Sequence, residues 1–177
     1  MKYIPLTKGK FALVNDEDFE YLNQWKWCYL NNPNGYAIRA IYPNKHQKII
    51  YMHRFLLKAP KSKQVDHING NSLDNQRLNL RLCYSYQNQS NQIRKKISFS
   101  GYKGVTYNST IHNKGIYKKI RKKRRPWVAR ITVHGKYIHI GSYANKIQAA
   151  IAYNEAAKKY HKKFANLNFI TEVNDML

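Results

Sequence analysis

Short runs of alternating apolar and polar residues dominate the first half of the chain. Tyr3 to Leu6 and Lys10 to Val14 read as two strands. Trp25 to Leu30, Tyr36 to Tyr42 and Lys48 to Met52 read as three more, separated by the turn signals Asn31-Asn32-Pro33-Asn34-Gly35 and Pro43-Asn44. These predict a small antiparallel sheet. Between the two groups, Asp16 to Leu22 predicts a short helix capped by Asn15 or Asp16, with acids early enough to suit its dipole. His53 to Leu57 predicts a short helix ending before Pro60, Gln64 to Ile68 a strand, and Leu78 to Cys83 its returning partner. Ser85 reads as the N-cap of the next helix.

The second half has a different pattern. Tyr102 to Tyr107 and Pro126 to Val133 read as strands, and His134-Gly135 as a tight turn into Lys136 to Tyr143. Alternation places Trp127, Ala129, Ile131 and Val133 on one face, expected to be core, and Val128, Arg130, Thr132 and His134 on the other. A helix from about Lys146 carries Ala149, Ala150, Tyr153, Ala156, Ala157 and Tyr160 at helical spacing, small enough for close approach to the sheet. The stretch from Ile93 to Gly101 has neither period and reads as a basic linker. The expected organisation is α+β: a domain over 1–92, a linker over 93–100, a second domain over 101–170 and a tail over 171–177. Length alone allows one large domain or two small ones, and 43% hydrophobic residues with 15 Tyr supply modest cores.

Charge changes the picture. The chain holds 32 Lys and Arg against 9 Asp and Glu, a formal +23 over 177 residues, which makes a polyanion the expected partner. Residues 1–92 hold 13 of the bases and 6 of the acids, so the second half carries most of the excess. A membrane surface would need a continuous apolar helix face or a span of about 20 apolar residues, and the sequence has neither. Met1 to Lys10 has no apolar signal-peptide core. Cys28 and Cys83 lie far apart with no paired-cysteine motif, which argues against structural zinc and disulfides and for a reducing cytosol.

The candidate chemistry lies in Asp66-His67-Ile68-Asn69-Gly70-Asn71, followed by Asn79-Leu80-Arg81 and Asn88. Cleaving a phosphodiester needs a cation to hold the phosphate and its leaving oxygen, and a base to take a proton from water. Hard cations select oxygen, which Asp66 and Asn88 can supply. His67 titrates near neutrality when unperturbed and can serve as base if a partner such as Asn79 fixes its tautomer. Asn69 and Asn71 read as turn formers, Asn75 and Asn91 have no assignable role, and His53 reads as a packing residue. Arg81 reads equally as a phosphate clamp or as a brace for its own loop.

These residues resemble the HNH homing endonucleases with the ββα-metal fold, of the kind carried by phages and mobile introns. The match covers Met52-His53-Arg54, Val65 to Asn71, Asp74-Asn75, Asn79-Leu80-Arg81 and Asn88. The resemblance implies that Asp66 and Asn88 bind one divalent metal, Mg²⁺ or alternatively Mn²⁺. It further implies that His67 is the general base and that Asn79 orients it. The third motif position is Asn88 where other members have His, which keeps an oxygen ligand. The expected setting is the cytoplasm of a bacterial host.

The segment from about 101 to 169 resembles the plant ethylene-response-factor (Apetala-type) DNA-binding domain. The resemblance rests on Tyr102-Lys103-Gly104-Val105, Trp127, Ala129, Ile131, Ile140-Gly141-Ser142-Tyr143, Ala149-Ala150, Ala152-Tyr153-Asn154, Ala156-Ala157 and Ala165 to Phe169. It implies a three-stranded sheet facing a DNA groove, with Lys103, Thr106, Arg130, Thr132, Tyr137 and His139 towards DNA. Several arginines and a tryptophan of that family are replaced, so its base preference does not carry over. The run Lys118 to Arg125, with Lys122, Lys123, Arg124 and Arg125 at its end, is expected to meet phosphates.

The reading is a DNA endonuclease joined to a targeting domain, acting on double-stranded DNA as a nicking monomer or as a dimer formed on DNA. Its rivals are an inactive DNA-binding regulator derived from such a nuclease, and an RNA-binding protein.

Overall fold

The computed structural model describes residues 1–92, 99–108 and 125–170. The linker core, Lys122, Lys123, Arg124 and the tail lie outside the described residues. The fold is α+β, and the chain divides into two compact units, Met1–Asn91 and Gln92–Leu177.

In the first unit, β1 (Lys2–Pro5) and β2 (Phe11–Val14) form an antiparallel hairpin. Its alternation buries Ile4, Ala12 and Val14 against Leu22 of α1 (Asp16–Asn23). Asn15 occupies the N-cap position of α1, but its Oδ1 accepts from the backbone N–H of Arg77 at 2.8 Å. Buried Asp18 accepts from Nε and Nη2 of the same arginine at 2.8 and 2.6 Å, so α1 is tied to the turn Arg77–Asn79.

A second sheet has the order β3 (Cys28–Leu30), β4 (Tyr36–Ile41), β5 (Lys48–Tyr51). The strand expected from Trp25 begins only at Cys28, because the two tryptophans serve the core instead of a ladder. Trp27 is buried and donates its indole N–H to the Leu22 carbonyl at 2.9 Å, while Trp25 lies 4.1 Å from the Arg39 guanidinium. The helix α2 (Met52–Leu56) turns Met52, His53 and Leu56 inward. Its Arg54 donates to the carbonyls of Lys63, Pro60 and Ala59 at 2.8, 3.0 and 3.2 Å, which fixes the loop entering β6 (Gln64–His67).

β6 pairs antiparallel with β7 (Leu80–Cys83), setting Asp66 opposite Arg81 and His67 opposite Leu80. The strand expected from Leu78 starts two residues later, because Arg77–Asn79 closes a 3-10 turn. α3 (Ser85–Asn91) follows, and the side chain of Gln87 accepts from the Tyr84 N–H at 2.8 Å at its start.

In the second unit, β8 (Val105–Tyr107), β9 (Trp127–Val133) and β10 (Lys136–Tyr143) form an antiparallel sheet with β9 at its centre. The turn between β9 and β10 has positive φ at both His134 and Gly135, as a two-residue hairpin of the primed type requires. α4 (Lys146–His161) is capped by Asn145, whose side chain accepts from the Gln148 N–H at 2.8 Å. Ala129 and Ile131 are buried with Ala149, Ala150, Tyr153 and Ala157 of α4, whereas Arg130 and Thr132 are exposed on the other face. Asn168 clamps both backbone groups of Lys103, accepting from its N–H at 2.6 Å and donating to its carbonyl at 3.0 Å.

Candidate active site

Asp66 and His67 are neighbours on one strand, so their side chains leave β6 on opposite sides. Gln64 and Asp66 share the side covered by α3. Val65 and His67 share the other, where His67 meets Tyr36 of β4 and His53 of α2.

On the α3 side, Oδ2 of Asp66 accepts from Nε of Arg81 at 2.8 Å and from its Nη2 at 2.6 Å. Oδ1 accepts from Nδ2 of Asn91 at 3.0 Å, and that amide lies 3.1 and 3.4 Å from the carbonyls of His67 and Ile68. Asn88 donates to Oε1 of Gln64 at 2.9 Å. Residues three apart on a helix share a face, as do residues two apart on a strand, so Asn88 stands over Gln64 and Asn91 over Asp66. In the sequence, the signal for Asn91 is its spacing from Asn88. Arg81, expected at DNA, has its side chain largely buried and engaged with Asp66.

On the other side, His67 is only 7% exposed. Burial pushes its pKa down, opposed by Asn75, Asp66 and Asp74, so the ring is neutral near pH 7, the form a base needs. His53 packs edge-on against it, with ring centroids 5.1 Å apart. Burial, aided by the charges His67 and Arg54 can carry, lowers the pKa of His53 to about 3. Asn79 uses its side chain on the loop: Oδ1 accepts from the Asn69 N–H at 3.0 Å and Nδ2 donates to the Asp74 carbonyl at 2.8 Å. Asn69 and Asn71 each accept from a backbone N–H two residues on, which makes the turn expected of them. Asn75 is fully buried, and neither polar atom of its amide has a hydrogen-bond partner.

In the second unit, Thr106, Arg130, Tyr137 and His139 line a shallow groove on the sheet face away from α4. Nη2 of Arg130 donates to Oγ1 of Thr106 at 2.8 Å, which orients the guanidinium along the groove. Thr132 alternates onto the same face, and Arg125 is exposed just before β9. The ammonium of Lys103 donates to the Gln92 carbonyl at 3.0 Å. No described helix is long and apolar enough to cross a membrane.

β6, the 69–79 loop, β7 and α3 therefore make a ββα unit that presents an aspartate and a histidine from its first strand and two asparagines from its helix. That is the arrangement the resemblance to the HNH endonucleases implies. The chain is 30% identical over 169 residues to an uncharacterized HNH endonuclease of Acanthamoeba polyphaga mimivirus, across 92% of this chain and 77% of that protein. It belongs to the HNH endonuclease family. No family model matches the chain, and no solved structure does.

Proposed function

We propose that the protein is a site-directed, homing-type endonuclease that hydrolyses one phosphodiester of double-stranded DNA per active site, with one divalent cation. The observation that carries this reading is the Asp66 carboxylate under the asparagines of α3, with the imidazole of the adjacent His67 on the other side of β6, in a chain of net charge +23.

The donor set suits a hard cation. Among the described residues no group of three His, Cys, Asp or Glu could hold a metal. The available donors near Asp66 are oxygens: its own carboxylate, the carbonyls of His67 and Ile68, and the asparagine amides of α3. The nitrogen of Asn88 is turned to Gln64, which directs its oxygen the other way. Asp66 and Asn88 would hold the ion, Mg²⁺ by this chemistry, or Mn²⁺. A bound cation would neutralise the scissile phosphate and stabilise its leaving oxygen. His67, neutral at pH 7, would take the proton of the attacking water, while Asn79 braces the loop behind it.

DNA would be gripped by Lys103, Arg125 and the basic run Lys122, Lys123 and Arg124. It would be read by the groove face carrying Thr106, Arg130, Thr132, Tyr137 and His139, in the manner of an Apetala-type sheet. One site per chain implies nicking by a monomer, with pairing on DNA as the route to a double-strand break. The proposed setting is the cytoplasm of a bacterial host cell.

A plasmid library carrying random inserts, incubated with Mg²⁺, tests the reading. Wild type is expected to nick a subset of inserts and His67→Ala to nick none; equal cleavage by both would overturn the base assignment. The ion pair of Arg81 with Asp66 favours a second reading, a DNA-binding regulator. Retained binding to selected inserts with no cleavage in any divalent cation would establish that reading instead.

A further inference from the structure

We propose that Tyr84 and Tyr86, with Lys63, form a stacking shelf that takes the face of an unpaired DNA base beside the candidate metal site, the ammonium meeting a neighbouring phosphate. This rests on the reading of the chain as a nuclease acting on DNA.

The two rings are nearly parallel, with planes 7° apart and centroids 5.9 Å apart, an offset arrangement that offers a broad surface instead of a closed sandwich. At 47% and 41% exposed, neither is a core residue. The exposed pair Tyr3 and Phe11 on the β1–β2 hairpin differs, because its rings meet edge to face at 84° and share no plane. The ammonium of Lys63 lies 3.0 Å from the centroid of the Tyr84 ring. A flat aromatic surface with a cation held on it matches both parts of a nucleotide, the planar base and the charged phosphate.

Position decides what the shelf meets. Tyr84 immediately precedes α3, and its carbonyl accepts from the backbone N–H of Asn88 at 3.1 Å. Lys63 immediately precedes Gln64, whose Oε1 accepts from the side chain of Asn88 at 2.9 Å. The shelf is therefore joined to Asn88 from both the strand and the helix. Four helical residues rise about 6 Å, less than two steps of a DNA strand at about 3.4 Å each. A phosphate bound beside Asn88 thus leaves a flanking nucleotide within reach of the rings. In a chain of net charge +23, the occupant that carries both planar faces and negative charge is a nucleic acid. The bases of an intact duplex already stack on one another, so the rings take a base only where the strand is opened. The shelf holds one nucleotide out of the stack, next to the bond to be cut.

Fluorescence anisotropy of the full-length protein with a short oligothymidylate, and with an abasic strand of equal length, tests this without a divalent cation. The abasic strand keeps the phosphates and lacks the bases. Wild type is expected to prefer the thymidylate, and the double variant Tyr84→Leu, Tyr86→Leu to lose about 5–150-fold of that preference, the range for stacking one base. Tyr84→Phe with Tyr86→Phe is expected to keep it, because the ring and not the hydroxyl stacks. Lys63→Gln is expected to weaken both strands alike and to lower the salt slope by about 0.7. Tyr86→Leu, which leaves the residue at the start of α3 in place, carries the test if the double leucine variant does not fold. No preference in wild type, a loss of less than about 5-fold in the leucine variant, or a loss in the phenylalanine variant overturns the shelf. An unchanged salt slope in Lys63→Gln overturns the phosphate contact. Because no cleavage is needed, the measurement stands apart from the nuclease reading, which fails instead if His67→Ala cleaves like wild type.

Discussion

Arg81 places two donors on a single oxygen of Asp66, Nε at 2.8 Å and Nη2 at 2.6 Å on Oδ2, and so leaves Oδ1 to Asn91. The two residues are direct cross-strand partners, and Asp66 is only 4% exposed. Removing the arginine strands a buried carboxylate, which costs about 3–5 kcal/mol. Arg81→Ala is therefore expected to lower the urea midpoint of the first unit without changing the slope. In a unit of this size the melting temperature should fall by roughly 10 °C or more. A fall of under about 1 kcal/mol would show that the carboxylate is hydrated in solution.

The second prediction concerns acid. Folded His53 is held neutral down to about pH 3, whereas in the unfolded chain it takes up a proton below its ordinary 6.5. The unfolded state therefore binds more protons across that window, so this contribution is complete above pH 6.5 and is lost as pH falls towards 3, at about 1.4 kcal/mol per pH unit for one group. His67, also shifted down by burial, adds in the same direction. The groups facing His53 are His67, Tyr36, Tyr51 and the neighbouring Arg54. His53→Phe should flatten the dependence of unfolding free energy on pH between 6.5 and 4.5, measured by urea titration at each pH. An undiminished slope would mean that His53 titrates normally.

The third prediction tests the packing of the second unit. Gly104 has φ +75°, and a Cβ there would meet the ring of Tyr153 and lie 2.7 Å from the Arg130 carbonyl. Arg130 also donates its backbone N–H to the Gly104 carbonyl at 2.8 Å, so the loop cannot retreat without losing that bond. Gly104→Ala combines left-handed strain with overpacking and should destabilise the unit by about 2–4 kcal/mol, seen as a lower melting temperature. Tyr153→Leu in the same chain should recover part of the loss if the ring is the obstacle.

The elements that local pattern made legible are those whose burial follows their own period. β9 is the clearest case, with Ala129 and Ile131 buried and Arg130 and Thr132 exposed, and α4 follows with its alanines. Trp25 and Trp27 misled because large aromatics resemble strand residues by composition, while their contacts, Arg39 and the Leu22 carbonyl, are not local. Leu78 misled in the same way: it is 91% exposed on the 3-10 turn. At the candidate site, Asp66 and His67 were legible as neighbours with defined spacings to Asn79 and Asn88. The surroundings of His67 were not, because Tyr36 and His53 reach it from two other segments that no spacing rule connects.

A fourth prediction separates reading DNA from gripping it. Thr106 holds the Arg130 guanidinium on the groove face, and the proposed reading makes Arg130 a base-reading arginine. Arg130→Ala should weaken binding to a selected site by about 1–3 kcal/mol and relax preference at one base position. Lys103→Gln should weaken binding to all sequences alike and reduce the salt slope by about 1. Competition binding across a site library at two salt concentrations checks both. A uniform loss in Arg130→Ala would place that residue on the phosphates.

Asn88 and Asn91 occupy one face of α3, and sequence spacing alone cannot separate them. The register against β6 does: Asn88 bonds Gln64, while Asn91 bonds the carboxylate that would hold the cation. If Asp66 and Asn88 are the ligands, Asn91 works by holding Oδ1 of Asp66 and the backbone after it in place. Mn²⁺ binding followed by electron paramagnetic resonance should then be lost in Asp66→Ala and weakened at least about 10-fold in Asn88→Ala. Asn91→Ala removes a hydrogen bond from the carboxylate but no ligand, so its Mn²⁺ affinity should fall less than that of Asn88→Ala while its melting temperature falls more. The reverse order of affinities would move the α3 ligand to Asn91, the asparagine that already touches Asp66.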